Sequence, residues 1–440
     1  MSITAENIPL VNSWTEWGQL EHVMVGSAEN MCYPDEEWIP LNRPRSDDMK
    51  SYVKLYTGIR PQARILKAQE QLQQLTDILE GEQIKVATIN EVEKDINLLI
   101  ERKRSYPIVT KLNDTNDNEE NYKQIKILQK AKIKTCRPPK TIEEPKFDHY
   151  IKTPWFHNSY QYGLSCPRDM LITLGNTILE APTAARCRYF ESKYYRSVIN
   201  DLWLNDTRVQ WKQAPKPTCS STMFDSDTED KPLSAVNTSY FPLSGYKTPL
   251  NESEIAFDAA DMMRMGKDIF YKRGMSANNK GLEWLRREFP HFRFHMVHFP
   301  QMNHIHLDVS LVPLRPPTAG SHGLILINQN FPPLKSELKI FLDNDWKPIW
   351  APKAVTSLVT PVAMCSSNLN MNLLSLNENC VIIEECELPL YKLLEDELGF
   401  DVITCPLRIL NEFGGGIHCG KRKMSVYSKR DFSAFETSFL

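Results

Sequence analysis

No stretch of about 18 consecutive apolar residues occurs in this 440-residue chain, which excludes a conventional membrane-spanning helix. The first ten residues carry neither a basic cluster nor an apolar core and are not rich in Arg. No secretory or mitochondrial targeting signal is evident, and a cytoplasmic location is expected. Positive charge is not in excess: 52 Lys and Arg stand against 55 Asp and Glu, a formal net charge of −3. Neither nucleic acid nor an anionic membrane is an expected partner. The ten cysteines form no CxxC pair, so a zinc ribbon or a dithiol redox motif has no basis. Scattered outside a secretory route, most of them are expected as reduced, buried thiols. What remains is an ordinary globular composition, 41% hydrophobic and 24% charged. The length suits two or three average domains or one large closed architecture.

Apolar residues recur at helical spacing from Gln62 to Glu80, and a short strand follows over 84–89. The same order, helix then short strand, usually ended by proline, returns four more times. Helix 186–204 leads to Pro215, helix 280–289 to Pro300, helix 334–344 to Pro352 and helix 389–398 to Pro406. Apolar pairs with hairpin turns stand between these units, at 170–181 around Gly175-Asn176 and at 372–385. Five units that cannot bury their own faces argue for radial repetition, whereas strict βαβ alternation would argue for an open sheet. Two stretches interrupt the pattern: 91–140, a polar insertion rich in Lys, Asn, Asp and Glu, and 216–252, a long polar loop. The expected organisation is one domain over 1–440 that contains both.

Near the start of each unit a polar residue stands out: Asp169, Asp258, the pair His306 and Asp308, Ser366 with Ser367, and Cys419. Alternation over 304–311 predicts a strand with His304, His306, Asp308 and Ser310 on one face. In a ring of units that face lines the centre. Cys419 follows Gly414-Gly415-Gly416, a run that permits positive φ and close approach of a ligand to an uncrowded sulfur. A metal site is an alternative for the histidine-rich stretch, with His295, His298, His304, His306 and Asp308 as ligands. Cysteine with histidine and carboxylate also fits a protease or an acyltransferase. Several carboxylates around one cysteine favour a cationic electrophile, and a guanidinium is planar, permanently charged and bidentate toward carboxylates.

The stretches SWTEWGQLEHVMVGSAEN (13–30), CPRDMLITLGNTILEAP (166–182), QAPKPT (213–218), FDAADMMRMGKDIF (257–270), HIHLD (304–308) and FGGGIHC (413–419) resemble glycine amidinotransferase and its relatives in the guanidino-group-modifying superfamily. The resemblance covers roughly 11–90 and 145–427. It implies an α/β fold, a five-bladed α/β propeller with pseudo-fivefold symmetry and a central active-site channel. It also implies Cys419 as nucleophile, His306 as general acid and base, and Asp258 as the histidine's triad partner. Asp169 and Asp308 would hold the guanidinium, Ser366 would contact substrate, and Asn303 matches the family beside the histidine. No metal or organic cofactor is implied. The partners would be small molecules, an arginine-like donor and an amine acceptor, and a homodimer follows from relatives that dimerise. One departure bears on substrate: Phe331 stands where the family carries an arginine that grips the substrate carboxylate. Ile305 also replaces the family's methionine. A guanidino hydrolase of the same superfamily and a silent binding propeller remain the competing readings.

Overall fold

The hairpin expected at 170–181 is formed. Leu171–Leu174 and Thr177–Glu180 pair antiparallel, and Gly175 takes φ +61 at the turn. Gln210–Gln213 adds on parallel to the second strand. The same three-stranded order recurs in Met262–Met265, Asp268–Lys272 and Arg293–Val297. It recurs again in Leu311–Arg315, Gly323–Ile327 and Trp346–Trp350, and in Leu374–Ser375, Cys380–Glu384 and Asp401–Cys405. In each sheet the second strand of the hairpin lies in the middle, and a crossover helix leads to the parallel third strand. These helices are Arg196–Asn205, Asn279–Glu288, Lys335–Leu342, and Leu388–Lys392 continued by a π turn over Leu393–Glu397. The computed structural model describes residues 9–34, 58–89, 151–158, 160–224, 250–300, 306–355 and 369–427. The chain divides into two compact units, Met1–Val92 with Tyr150–Leu440, and Glu93–His149. The second unit lies outside the described residues, and so do the whole 91–140 stretch and most of the 216–252 loop.

The sheet nearest the N-terminus is completed from the other end of the chain. Gln19–Val25 is its middle strand, and Lys85–Thr88 is its parallel strand after the helix Gln62–Gly81. The antiparallel partner is Lys421–Tyr427, directly after Cys419. Nothing in the local pattern singles out that strand, because its partner lies some four hundred residues away. Among the described residues there are thus five three-stranded mixed sheets.

Burial falls across each sheet in the same direction. The middle strands Thr177–Glu180, Asp268–Lys272 and Gly323–Ile327 are buried throughout. The parallel third strands are largely half-buried to exposed, as in Gln210–Gln213 and Asp401–Cys405. Proline is confined to outer strands, Pro313 and Pro348 in the fourth sheet, where a missing N–H breaks no ladder. The cores join successive sheets. Ile172 and Leu179 pack with Met262 and Ile269, and Met263 and Phe270 with Leu311 and Ile325. Leu314 and Leu326 pack with Val381 and Ile383, and Leu374 and Ile382 with Leu20 and Val23. Thr173 Oγ1 then donates to Lys423 O at 3.2 Å, linking the N-terminal sheet to the next one in chain order.

Two sequence expectations are corrected. The helix expected over 186–204 is broken into 3-10 turns at Arg186–Arg188 and Glu191–Tyr195, before α-helix starts at Arg196. Tertiary anchors override helical propensity there: Arg188 is drawn to Asp169 and Glu191, and Tyr195 to Glu191. The alternating strand expected over 304–311 is also not observed. Leu307–Val309 is a 3-10 turn and the strand begins at Leu311, so the two-residue period does not place Asp308.

Candidate active site

Each sheet is entered through a short turn, and these turns carry the candidate residues. Asp169 lies in Pro167–Met170, just before the hairpin strand. Asp258 precedes the 3-10 turn Ala259–Asp261, and His306 precedes Leu307–Val309, which holds Asp308. Asn372 follows the turn Leu369–Met371, and Cys419 precedes Lys421–Tyr427. The fifth sheet's contribution among the described residues is therefore Asn372. Ser366 and Asn303 lie outside the described residues, and so do Ser367, His304 and Ile305.

Contacts bring most of the expected set together. His306 Nε2 is 3.1 Å from Asp258 Oδ2, and its Nδ1 is 3.8 Å from Asp169 Oδ1. The Cys419 thiol donates to Asp308 Oδ2 at 3.5 Å. Asn372 Nδ2 donates to both Asp308 Oδ2 and Cys419 Sγ, 3.2 Å in each case, and its Oδ1 accepts from Cys419 N at 3.0 Å. Phe331 is half-buried on the loop between Gly323–Ile327 and Lys335–Leu342. Two histidines of the metal alternative are engaged elsewhere: His295 bonds Asp268 and His298 bonds Glu337.

The glycine run acts mainly by leaving space. Only Gly414 has positive φ, +99. A Cβ on Gly415 would lie 2.5 Å from Cys166 Sγ and 2.7 Å from Cys419 Cβ, and one on Gly416 would lie 2.8 Å from Asn372 Oδ1. Bulk at either position would displace the thiol or its holder.

Around Cys419 and His306, three carboxylate oxygens are buried without a hydrogen-bond partner: Asp169 Oδ1, Asp258 Oδ1 and Asp308 Oδ1. Their second oxygens are engaged. Arg188 Nη1 donates to Asp169 Oδ2 at 2.6 Å, His306 holds Asp258 Oδ2, and Asp308 Oδ2 takes three contacts, including His418 Nδ1 at 2.9 Å. An unpaired buried acceptor is costly, so three of them mark a place prepared for cationic donors.

The electrostatics follow from that crowding. Burial, then Asp308, Asp169 and Cys166, push the Cys419 thiol well above its ordinary value, against the Asn372 hydrogen bond. Burial opposes the His306 imidazolium, yet Asp169, the Asp258 hydrogen bond and Asp261 outweigh it and push the group up to about 9. Burial likewise opposes charge on Asp308, but the His418 hydrogen bond and the charges of His418, His306 and Arg168 hold its carboxyl below the usual range. At rest the site is a protonated thiol among anions with a charged imidazole, and a bound cation would tip the thiol toward thiolate.

Sequence reasoning missed Asn372, His418, Arg188 and Glu16. His418 lies inside the stretch 413–419, so its neighbour was the available signal. Asn372 opens the fifth sheet where the other sheets carry their site residue, which only the repeat could have revealed. Arg188 and Glu191 form a fully buried pair behind Asp169, and Glu16 pairs bidentately with Arg264. Neither pattern is visible before the chain is folded.

No family model matches the chain. The mitochondrial glycine amidinotransferase of Gallus gallus is 30% identical over 419 residues, covering 93% of this chain and 81% of that protein. The L-arginine:L-lysine amidinotransferase of Pseudomonas savastanoi pv. phaseolicola is 28% identical over 414 residues, with 93% and 92% covered. Among solved structures, an amidinotransferase of the saxitoxin biosynthetic pathway from Microseira wollei superposes with a TM-score of 0.70 at 26% identity, covering 97% of this chain and all of that one. The inosamine-phosphate amidinotransferase of Streptomyces griseus shares the fold, with a TM-score of 0.69 at 22% identity and 98% of this chain covered. Fold, site and relatives together define an amidinotransferase. The chain belongs to the glycine amidinotransferase family.

Proposed function

We propose that this enzyme moves the amidino group of L-arginine, or a related guanidino donor, to an acceptor amine by a ping-pong route through an amidino-cysteine at Cys419. The observation that carries the reading is that Asp169, Asp258 and Asp308 each leave one buried carboxylate oxygen without a hydrogen-bond partner while also contacting Cys419 or His306. A guanidinium offers five N–H donors in a plane and satisfies carboxylates in pairs. Its charge also relieves the repulsion that keeps Cys419 protonated.

In this mechanism the Cys419 thiol releases its proton to solvent as the guanidinium binds, the thiolate forms a C–S bond to the guanidinium carbon, and the C–N bond to the donor's chain breaks. The His306 imidazolium gives its proton to the departing amine. The acceptor amine then attacks the amidino carbon and surrenders a proton to His306, and the C–S bond breaks to restore the thiolate. Asp258 holds the imidazole through Oδ2 in a Cys-His-Asp triad. Ser366 and Asn303 are proposed as further substrate contacts. The five sheets, with each core shared between neighbours and the last returning to the first, support a five-bladed propeller around a central channel. Within it, 91–140 is a polar insertion.

Relatives are named for glycine and for lysine as acceptors. Phe331 stands where the resemblance expects a carboxylate-gripping arginine, which favours a larger or less charged acceptor amine here. The test is intact mass spectrometry after incubation with arginine. One amidino group should appear on Cys419 with ornithine released, and added amines should discharge it as guanidino products. Cys419→Ala should show neither adduct nor product. Persistent absence of adduct with every guanidino donor would sink the proposal, and citrulline or urea without an amine would indicate a hydrolase.

A further inference from the structure

Asp308 is the residue on which the lower half of the site converges. Its Oδ2 accepts from His418 Nδ1 at 2.9 Å, from Asn372 Nδ2 at 3.2 Å and from the Cys419 thiol at 3.5 Å. Its Oδ1 is buried and has no partner. His418 is the shortest of the three contacts, and its other nitrogen, Nε2, is 3.5 Å from Glu16 Oε2. Glu16 is in turn clamped by Arg264, whose Nε and Nη2 donate to its two oxygens at 2.9 Å each. The imidazole thus lies between a fixed carboxylate from the N-terminal segment and the carboxylate beneath the thiol. A small cavity of about 20 Å³ beside it is lined by Glu16, Arg168, Asp308 and His418, with Ser375 and apolar side chains on the remaining wall.

We infer that His418 is a positioning residue for the transfer reaction: it ties down one oxygen of Asp308 so that the other stays free and charged for a guanidinium. This rests on the reading of Cys419 as nucleophile and Asp308 as a substrate ligand given above. A free carboxylate can rotate about its Cα–Cβ and Cβ–Cγ bonds and spend both oxygens on the nearest donors. With Oδ2 held by His418 and Asn372 together, that rotation is stopped and Oδ1 cannot fold back onto the thiol. The hydrogen bond from His418 is also the largest influence keeping the Asp308 carboxyl acidic against its burial. The charged and titratable groups around this pair are Glu16, Arg168, Arg264, His306, Cys419 and Lys423. Of these, the Cys419 thiol hydrogen-bonds Asp308 itself, beside His418.

The geometry yields a contrast that packing alone would not. The amide nitrogen of an asparagine reaches about where Nδ1 of histidine lies, whereas that of a glutamine reaches toward Nε2. His418→Asn therefore keeps the donor to Asp308, while His418→Gln and His418→Ala lose it. The experiment measures the rate of amidino transfer to Cys419 from arginine against donor concentration and pH, with thermal melting as a control on folding. In His418→Ala and His418→Gln the half-saturating donor concentration should rise about ten- to a hundredfold, the span expected for losing a hydrogen bond to a charged group. In the same two variants the acid limb of the profile should move to higher pH, because Asp308 protonates more readily once its donor is gone. His418→Asn should stay within a few-fold of the wild type on both readouts. Equal impairment of the Asn and Gln variants, or an unmoved acid limb in the Gln and Ala variants, overturns the inference while Cys419 still takes up its amidino group. If the Ala variant does not fold, the Asn and Gln pair decides the matter alone. Failure of the wild type itself to form the adduct overturns the inference together with the nucleophile reading.

Discussion

At the scale of single residues the candidate site crowds carboxylates around a buried thiol and a buried imidazole. His306 keeps its proton far above the ordinary histidine range because Asp169 and Asp258 face it, despite its burial. Its folded value of about 9 lies above the ordinary value of 6.5. The associated stability is therefore fully present below pH 6.5 and is lost as pH rises through about 9. In the proposed mechanism, loss of the proton also removes the acid for the leaving amine, so donor turnover should fall on the alkaline side near that value. Following the His306 imidazole by NMR should give a midpoint near 9. Asp169→Asn should lower it, since Asp169 is the strongest influence raising it. A midpoint unchanged by that substitution would contradict this account. A second buried pair lies beside Asp258. Asp261 Oδ2 accepts from Asp258 N at 2.9 Å, and burial raises its carboxyl to about 7 while lowering Lys272 to about 8.

At the scale of elements, glycines separate two kinds of constraint. Gly415 has ordinary φ, but its missing Cβ leaves room for Cys166 and Cys419. Gly415→Ala should leave the melting temperature within a few degrees yet cut amidino transfer by about a hundredfold, the scale of an ångström-size misplacement of a reacting group. Gly399, after the π turn Leu393–Glu397, is the reverse: it has φ +68 and open space around it. Gly399→Ala should cost about 1 kcal/mol in chemical denaturation and leave kcat unchanged. If the two variants exchanged phenotypes, the assignment of space to one and backbone strain to the other would be wrong.

At the scale of the whole molecule, the N-terminal sheet depends on Lys421–Tyr427. This strand completes the N-terminal sheet, and Lys423 Nζ donates to Glu16 O and Ser375 O, so three parts of the chain meet on one buried ammonium. Burial lowers that ammonium to about 7. Truncation after Gly420 should abolish cooperative thermal unfolding as well as activity, although every proposed catalytic side chain remains. A truncated chain that still melted in one sharp transition would show that the sheet closes without it.

The helices at 62–81 and 279–288, the hairpins and the fivefold recurrence were legible in the sequence because apolar periodicity and turn residues act over a few positions. The residue types of the site were legible too, since Asp169, Asp258, His306, Asp308 and Cys419 each stand at a unit's entrance. Folding alone decided what long-range contacts control. Arg188 broke a helix by reaching Asp169, a 3-10 turn replaced the strand at 307–309, and the C-terminal strand supplied the first sheet's missing edge. It also brought Asn372 and His418 to Asp308. Those partners lie tens to hundreds of residues apart, and no local pattern encodes a hydrogen bond that exists only when the sheets meet.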